Sequence, residues 1–306
     1  MAITAQDVKT LREMTGVGMM DCKKALTETD GDMDKAVEWL REKGLAAAQK
    51  KAGRIAAEGM AYADVFDGVG VVVEVNAETD FVAKNDKFVE FTKNIAAIVA
   101  KSNPADVDAL MQCRYDDKNS VAEQQQEMVL VIGENITIRR FDRYDTGFCV
   151  PYVHTDGRIG VMVNMDVSDE LATKGEVVEL AKDLAMQIAA LNPLFLDKSD
   201  VSADVIEHEK AILIAQINED PKNASKPDQI KEKMVIGRIN KYYTENCLLQ
   251  QAFVKDDKVS VEDHVASVAK ACGGTITVKN FTRFEKGEGI EKKQENFADE
   301  IASLIK

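Results

Sequence analysis

Residue types that often carry catalysis occur in this sequence, but their spacing does not form a recognisable site. His154, His208 and His264 lie 54 and 56 positions apart, and none stands in an HExxH or similar zinc-ligand pattern. Asp145 begins a single Asp-Thr-Gly triplet, whereas aspartic-protease chemistry needs two carboxylates. No GxxxxGK[ST] phosphate-binding loop is present. We therefore expect no bond-breaking chemistry, and the alternative of an enzyme would be a hydrolase that uses Asp145 or His154.

One short segment places an aromatic residue where it could bind a partner. Thr79-Asp80 resembles a helix cap after an apolar strand, and Phe81-Val82 follows directly. Phe81 either packs onto the next helix near Phe88, as a hydrophobic staple, or points outward into a partner's pocket. Burying a Phe is worth roughly 1.5–3 kcal/mol, which is enough for an interface hot spot. Both alternatives stay open from the residues alone.

A second candidate contact is Val17-Gly18-Met19-Met20. Adjacent residues do not face each other on a helix, so Met19 and Met20 cannot both face one core. We expect one of them to be exposed, where the adaptable Met side chain could contact a partner. The alternative is that one methionine covers the core and the other has no role.

These methionines belong to a first module, residues 1–55, with the pattern of three short helices. Thr4 and Asp7 fit a capping box. Apolar residues then recur at helical spacing and are interrupted at two Gly-containing turns. We expect Gly44 to stand at the C-cap of the third helix, and residues 46–54 to form a helical or flexible linker.

The rest of the chain contains an internal repeat. Residues 67–75 resemble residues 156–165, with an offset of 90 positions at Gly70 and Gly160. Residues 89–96 resemble residues 178–185, with an offset of 89. Each unit begins with an Asp-Gly turn between β-rich runs, which is a strong hairpin signal, and a helix follows.

A third strand completes each unit, at residues 136–141 in the first and 276–281 in the second. The offset is now 140, so the second unit carries 51 more residues. Two related β-β-α-β units predict an α+β core of small antiparallel sheets covered by helices.

The additional residues lie near 197–250 and have the pattern of a helical hairpin. Val205 and Ile217 mark the ends of one apolar stripe, and Ile230 and Ile239 those of another. The hairpin either packs on a partner or a second copy of the chain, or folds back onto the core. The tail from Gly289 ends in a predicted helix that carries Phe297, Ile301 and Leu304.

Composition excludes several classes of function. With 39 Lys+Arg and 53 Asp+Glu, the net charge is −14, which disfavours nucleic-acid and anionic membrane surfaces. The longest apolar runs are too short to span a bilayer, and the N-terminus lacks signal-peptide features. The five cysteines are far apart and contain no CxxC, which indicates free thiols in a reducing cytosol. We expect a cytoplasmic protein.

Several blocks of the sequence resemble the elongation factor Ts family, the exchange factors of the GTPase elongation factor Tu. The matching blocks are Leu11–Leu26, Glu74–Lys84, Ile132–Ile136, Arg158–Val161 and Arg283–Lys292. They run nearly end to end and in order. The resemblance implies a guanine nucleotide exchange factor without covalent catalysis. It also implies that the chain binds no cofactor itself, because GDP, GTP and Mg²⁺ are held by the partner.

The resemblance also implies roles for particular residues. Thr79-Asp80-Phe81-Val82 matches the motif that enters the GTPase near its Mg²⁺ site. Val17, Met19 and Met20 would contact its nucleotide domain, and His154 its third domain. Glu78 departs from the family's usual Gln, which slightly alters the local charge.

The implied domain order extends the fold prediction. Residues 1–55 would be a UBA-like (ubiquitin-associated-type) three-helix domain with its linker, and 56–142 the first core subdomain. The remaining predicted parts are a second core subdomain at 143–196 plus 274–288, a coiled-coil dimerisation module at 197–250, and a C-terminal helical module at 251–273 plus 289–306. In that last module, Ala252 replaces an expected Pro, which leaves the loop less rigid.

The alternative function is a protein-interaction adaptor. Its UBA-like module would bind a ubiquitin-like or nascent-chain partner. The long repeated core makes this a poorer account of the whole chain.

Overall fold

The structure, a computed structural model, describes residues 3–291, except for the side chain of Ala224. In that range the α-helices are α1 (Ala5–Thr15), α2 (Met19–Glu28), α3 (Met33–Lys51), α4 (Asp80–Ala83), α5 (Asp86–Ser102), α6 (Val107–Gln112), α7 (Val121–Ile132), α8 (Asp169–Ala172), α9 (Gly175–Leu191), α10 (Ala203–Glu219), α11 (Pro221–Ala224), α12 (Asp228–Asn246) and α13 (Val261–Cys272). The strands are β1 (Glu58–Phe66), β2 (Val69–Ala77), β3 (Ile136–Tyr144), β4 (Phe148–His154), β5 (Ile159–Val167), β6 (Ala252–Phe253), β7 (Asp256–Ser260) and β8 (Ile276–Glu285).

The first three helices form the predicted bundle. The capping box is confirmed, since Thr4 and Asp7 exchange backbone-to-side-chain hydrogen bonds of 2.9 and 3.2 Å. Leu11, Leu26 and Leu40 are buried together, and Leu130 of α7 packs against them. The bundle therefore rests on the core through α7.

The predicted end of the third helix is wrong. Helix α3 continues to Lys51, so Gly44 lies inside it and most of the expected linker is helical. Gly44 faces α7, because a Cβ at this position would be 3.5 Å from the carbonyl oxygen of Gln126. That distance is an ordinary van der Waals contact, so α3 and α7 pack directly against each other at Gly44.

The duplicated core is confirmed. One antiparallel sheet has the order β1-β2-β3 and the other β4-β5-β8. Bulges interrupt the middle strands at matching places, Glu74/Val75 and Asn164/Met165. The Asp67-Gly68 turn has positive φ at both residues, as the tightest hairpin turns require.

Helices cover each sheet in the same way. Helix α5 packs on the first sheet and α9 on the second, 89 positions apart throughout. Each unit also contains a helix directly before its last strand, α7 and α13, which the β-β-α-β pattern omits. Helix α13 is buried in the second core through Val261, Val265 and Ala269. This placement favours grouping α13 with the core, although the division into domains stays a prediction.

The two sheets meet through small residues. A Cβ on Gly160 would lie 3.0 Å from the backbone of Ala61, and one on Gly70 would lie 2.9 Å from Cys149. Buried Val72 and Met162 complete this contact. The two units are thereby held at a fixed distance.

The insertion forms a hairpin in which α10 and α12 are joined through α11. Ile217, Val235 and Ile239 are buried against Leu213, Met234 and Tyr243. All of these residues belong to the hairpin itself, which favours the projecting arrangement. The predicted tail helix with Phe297, Ile301 and Leu304 lies outside the described residues. Among residues 3–291, no helix is long and apolar enough to cross a bilayer.

Candidate partner-binding site

The Thr79–Val82 segment connects β2 to α5 and contains the short helix α4. Thr79 caps this helix, because its hydroxyl accepts a hydrogen bond from the Val82 N–H at 3.4 Å. The cap expected from the sequence is therefore present. Asn85 caps α5 in turn through the Lys87 N–H at 3.0 Å, so both ends of the segment are fixed.

Phe81 projects from this segment into solvent. Its exposed fraction is 82%, whereas Val82 and Ala83 are each only 8% exposed. Val82 packs in the same cluster as Phe88. Of the two alternatives, the structure shows Phe81 pointing outward and not packed on the next helix. Val82 occupies the buried position against the first sheet.

Asp80 lies beside Phe81 and is also exposed. Its carboxylate is 3.5 Å from Lys84 Nζ, one helical turn later. An exposed pair of this kind contributes little to stability. The acidic group and the phenyl ring are thus both available to a partner.

A set of polar contacts holds the start of the segment. Glu134 accepts hydrogen bonds from the Thr79 hydroxyl at 2.8 Å and from the Thr79 N–H at 3.0 Å. Glu78 accepts one from the Asn135 N–H at 2.6 Å. Lys51 lies near this group, and burial, together with the charge of Arg54, lowers the Lys51 pKa against the opposing effect of the two carboxylates.

Both methionines of the first turn are exposed, which corrects the expectation of one. Met19 is 51% and Met20 75% exposed. Val17, in contrast, is buried in the bundle core at 4%. The two methionines are therefore available to a partner, whereas Val17 belongs to the bundle core.

The bundle turn and the Phe81 segment belong to neighbouring parts of the molecule. A Cβ on Gly16 would lie 3.0 Å from Lys87 Nζ, and Lys87 is in the first turn of α5. A cavity of about 330 Å³ lies where α1, α5 and α7 meet and is lined by Thr15, Lys87 and Phe91 among others.

His154 is the last residue of β4 and is exposed. Its Nδ1 lies 2.9 Å from the Tyr152 hydroxyl. His264 is partly buried, and its ring stacks on Phe253 with centroids 4.0 Å apart.

The two residues considered for catalysis, Asp145 and His154, lie towards opposite ends of β4. Asp145 precedes β4 and pairs with Arg143 at 2.9 Å, whereas His154 is at the far end of the same strand. Within residues 3–291, no group of three or more His, Cys, Asp or Glu side chains is placed to hold a metal ion. All five cysteines are free thiols, of which Cys113 and Cys272 are only partly buried.

Sequence reasoning missed the contribution of Glu134 to this site. The signal that could have revealed it is the internal repeat. Gly133 and Gly273 end the matching helices α7 and α13 with φ of 88° and 76°, so Glu134 corresponds to Gly274.

Comparison with known proteins gives a consistent result. A family model described as elongation factor TS matches residues 78–288. The chain is 51% identical over 306 residues to "Elongation factor Ts" of Clostridium perfringens (strain SM101 / Type A), covering 99% of both chains. It is also 51% identical to the protein of that name from Symbiobacterium thermophilum, covering 98% of this chain and 97% of the relative. Identity to the Clostridium novyi (strain NT) protein is 50%, with the same coverage.

Proposed function

The chain belongs to the elongation factor Ts family, and we propose that it binds elongation factor Tu–GDP and releases GDP by disturbing the Mg²⁺ and phosphate site. Family membership supports the general role of nucleotide exchange in translation. The finer proposal assigns the disturbance to Phe81 and Asp80. We place this activity in the cytoplasm, where translation elongation takes place.

The exposed ring of Phe81 is the observation that carries the proposal. The matching short helix of the second unit, α8, has Glu170 where α4 has Phe81, and its Leu171 is buried like Val82. The fold therefore needs an apolar residue at the position of Val82 and Leu171. It does not need one at the position of Phe81 and Glu170. An aromatic residue exposed only in one unit supports a role in binding.

The exchange needs no covalent step by this chain. Insertion of Phe81 beside the partner's Mg²⁺ site would bury its ring, and Asp80 would bring a negative charge next to it. Loss of Mg²⁺ removes positive charge from the diphosphate and weakens GDP binding. The coupling is reciprocal, so GDP equally weakens binding of the factor. Each 1.4 kcal/mol of coupling changes affinity about tenfold.

The remaining contacts of the proposal are distributed over the molecule. Met19 and Met20 would bind the nucleotide domain of the GTPase, and Val17 would contribute to this site through the bundle core. His154 would contact its third domain. The nucleotide and Mg²⁺ stay bound by the partner throughout, so the chain carries no cofactor.

The test measures release of a fluorescent GDP analogue from elongation factor Tu. For Phe81→Ala we expect kcat/KM to fall by about 10- to 100-fold, because burial of a Phe ring is worth roughly 1.5–3 kcal/mol. Thermal stability should stay unchanged, since the ring is exposed. Glu170→Ala is the matched control and should release GDP as the unchanged protein does. Equal rates for Phe81→Ala and the unchanged protein would refute the insertion.

We further propose that the hairpin of α10 and α12 mediates a homodimer. Ile214 and Ile236 are 49% and 60% exposed and line an apolar groove of about 370 Å³. Sedimentation of the free chain should give a dimer, and Ile236→Lys should give a monomer. A monomeric mass for the unchanged chain at micromolar concentration would contradict the dimer, and sedimentation with the GTPase would show whether binding replaces it.

A further inference from the structure

We infer that Glu134 is a positioning residue for Phe81, which acts by fixing Thr79 at the start of α4. Glu134 belongs to the turn between α7 and β3 and does not itself need to touch a partner. The functional part of this inference rests on the exchange activity proposed above.

The geometry of Thr79 explains how Glu134 acts. A hydroxyl has one proton to donate and lone pairs to accept. Glu134 Oε1 takes the proton at 2.8 Å, which leaves a lone pair for the Val82 N–H. Glu134 Oε2 accepts the Thr79 N–H at 3.0 Å. The carboxylate thus fixes the backbone and the side chain of the residue from which α4 begins.

A reciprocal contact closes the same junction. Glu78 accepts the Asn135 N–H at 2.6 Å, and the Asn135 amide donates to the carbonyl oxygen of Arg54 at 2.9 Å. Residues 78–79 and 134–135 therefore hold each other through two carboxylates, and we call this set the carboxylate clasp. Hydrogen bonds to a charged acceptor are stronger than neutral ones, which suits a clasp at a partly exposed site.

The second unit shows that the fold forms without a clasp. Its counterpart of Glu134 is Gly274, where a Cβ would lie 2.5 Å from Leu171 Cδ1. Ser168, the counterpart of Thr79, caps α8 without a side-chain hydrogen bond. The helix and the sheet are nevertheless present. The clasp therefore occurs only in the unit that exposes Phe81, which assigns it to the presentation of that ring.

Preorganisation predicts a measurable effect on exchange. Without the clasp, Thr79 would keep only its contact with the Val82 N–H, so the position of the Phe81 ring would have to be fixed during binding, and that cost would reduce productive association. We expect Glu134→Ala to lower kcat/KM for GDP release about tenfold, which corresponds to about 1.4 kcal/mol. Glu134→Gln keeps one acceptor oxygen and should give a smaller loss. The defect should appear mainly in KM, because the ring that acts on the GTPase is unchanged.

The decisive comparison repeats these variants in the Phe81→Ala background. If Glu134 acts through Phe81, its replacement should have less than about a twofold further effect there, as expected for coupled residues. A full tenfold loss in both backgrounds would overturn the inference. Glu123→Gln is the matched control, because Glu123 accepts the Ser120 N–H and hydroxyl at 2.7 and 2.9 Å, away from the segment. It should leave GDP release unchanged.

A second measurement does not depend on the GTPase. In the free chain, amide hydrogen exchange at Thr79 and Val82 should become at least tenfold faster in Glu134→Ala, while amides inside α5 stay protected. Unchanged protection at both residues would overturn the clasp, whatever the exchange assay gives. If instead the unchanged protein fails to release GDP, the proposed function is wrong while this measurement still decides on the clasp.

Discussion

Glu74 provides the sharpest test of how the two core units are held together. It lies in the middle strand of the first sheet with no exposed surface. Its carboxylate accepts hydrogen bonds from Arg140 Nε at 2.6 Å, the Gly287 N–H at 2.7 Å and a terminal nitrogen of Arg139 at 3.0 Å. Gly287 follows β8 of the second sheet, so one buried charge ties both sheets together.

Replacement by Gln changes a single atom type at this point. The Gln oxygen can still accept the hydrogen bonds from Gly287 and Arg139. Its NH₂ group would then face Arg140 Nε, and because both groups are donors, that hydrogen bond would be lost. A hydrogen bond to a charged group is worth about 1.5–3 kcal/mol, and breaking a buried ion pair costs about 3–5 kcal/mol. Arg139 and Arg140 are about 30% exposed, at 27% and 32%, and can be partly rehydrated. We therefore expect Glu74→Gln to destabilise the protein by about 3 kcal/mol.

Urea unfolding followed by far-ultraviolet circular dichroism measures this loss. With a slope of about 3 kcal/mol per molar urea, the midpoint should fall by about 1 M. Glu288→Gln is the control, because Glu288 also pairs with Arg140 at 3.0 Å but is 45% exposed, and exposed pairs contribute at most about 1 kcal/mol. Equal midpoints for the two variants would refute the assignment of the stabilisation to buried Glu74.

Two further predictions concern the hairpin base and the first turn. The Ser199 contacts lower the pKa of Asp197 to about 2, so the stability that this carboxylate provides is present above about pH 4 and is lost as pH falls through 2. A nuclear magnetic resonance titration of the Asp197 carboxyl with a midpoint near 4 would contradict this, and Asp197→Asn should abolish its share of the acid dependence. In the bundle, Val17→Ala should lower thermal stability by about 2 kcal/mol, whereas Met20→Ala should leave it within about 0.5 kcal/mol and weaken binding to the GTPase in a titration. Equal stability losses for Val17→Ala and Met20→Ala would show that their burial has been assigned wrongly.

Much of the fold could be predicted because its signals are local. The capping box at Thr4 and Asp7 satisfies helix N–H groups within four residues. The Asp67-Gly68 dipeptide predicts a hairpin turn, because such a turn needs residues that tolerate positive φ, and both residues adopt it. The repeat was visible because its near-constant offset reflects positions that perform the same packing task in both units.

The features that sequence reasoning missed depend on distant parts of the chain. Gly44 has the sequence context of a helix C-cap, but its environment is set by Gln126, more than eighty positions away. The burial of Val17 and the exposure of both methionines follow from how the bundle closes and rests on α7. Glu134 is 55 positions from Thr79, and nothing in the spacing of the two residues indicates their contact.

The duplication separates what the fold requires from what an external partner requires. Where packing sets the residue, the units agree: Gly70 and Gly160 both lie at the contact between the sheets, and Asn103 and Asn192 end their helices with the same φ of 47°. Arg143 also matches Arg283. Arg143 donates to the carbonyl oxygen of Ala100 near the end of α5, and Arg283 donates to that of Ala189 near the end of α9.

At the exposed position of Phe81 the shared scaffold does not require a ring, whereas Gly274 of the second unit is set by its own packing on Leu171. Phe81 and Glu134 stand opposite Glu170 and Gly274, although the short helix and the sheet are present in both units. The second unit therefore acts as an internal control for the first. An exposed ring and the carboxylate that fixes its segment occur together in one unit and are missing together from the other, which is expected if both serve the same contact with a partner.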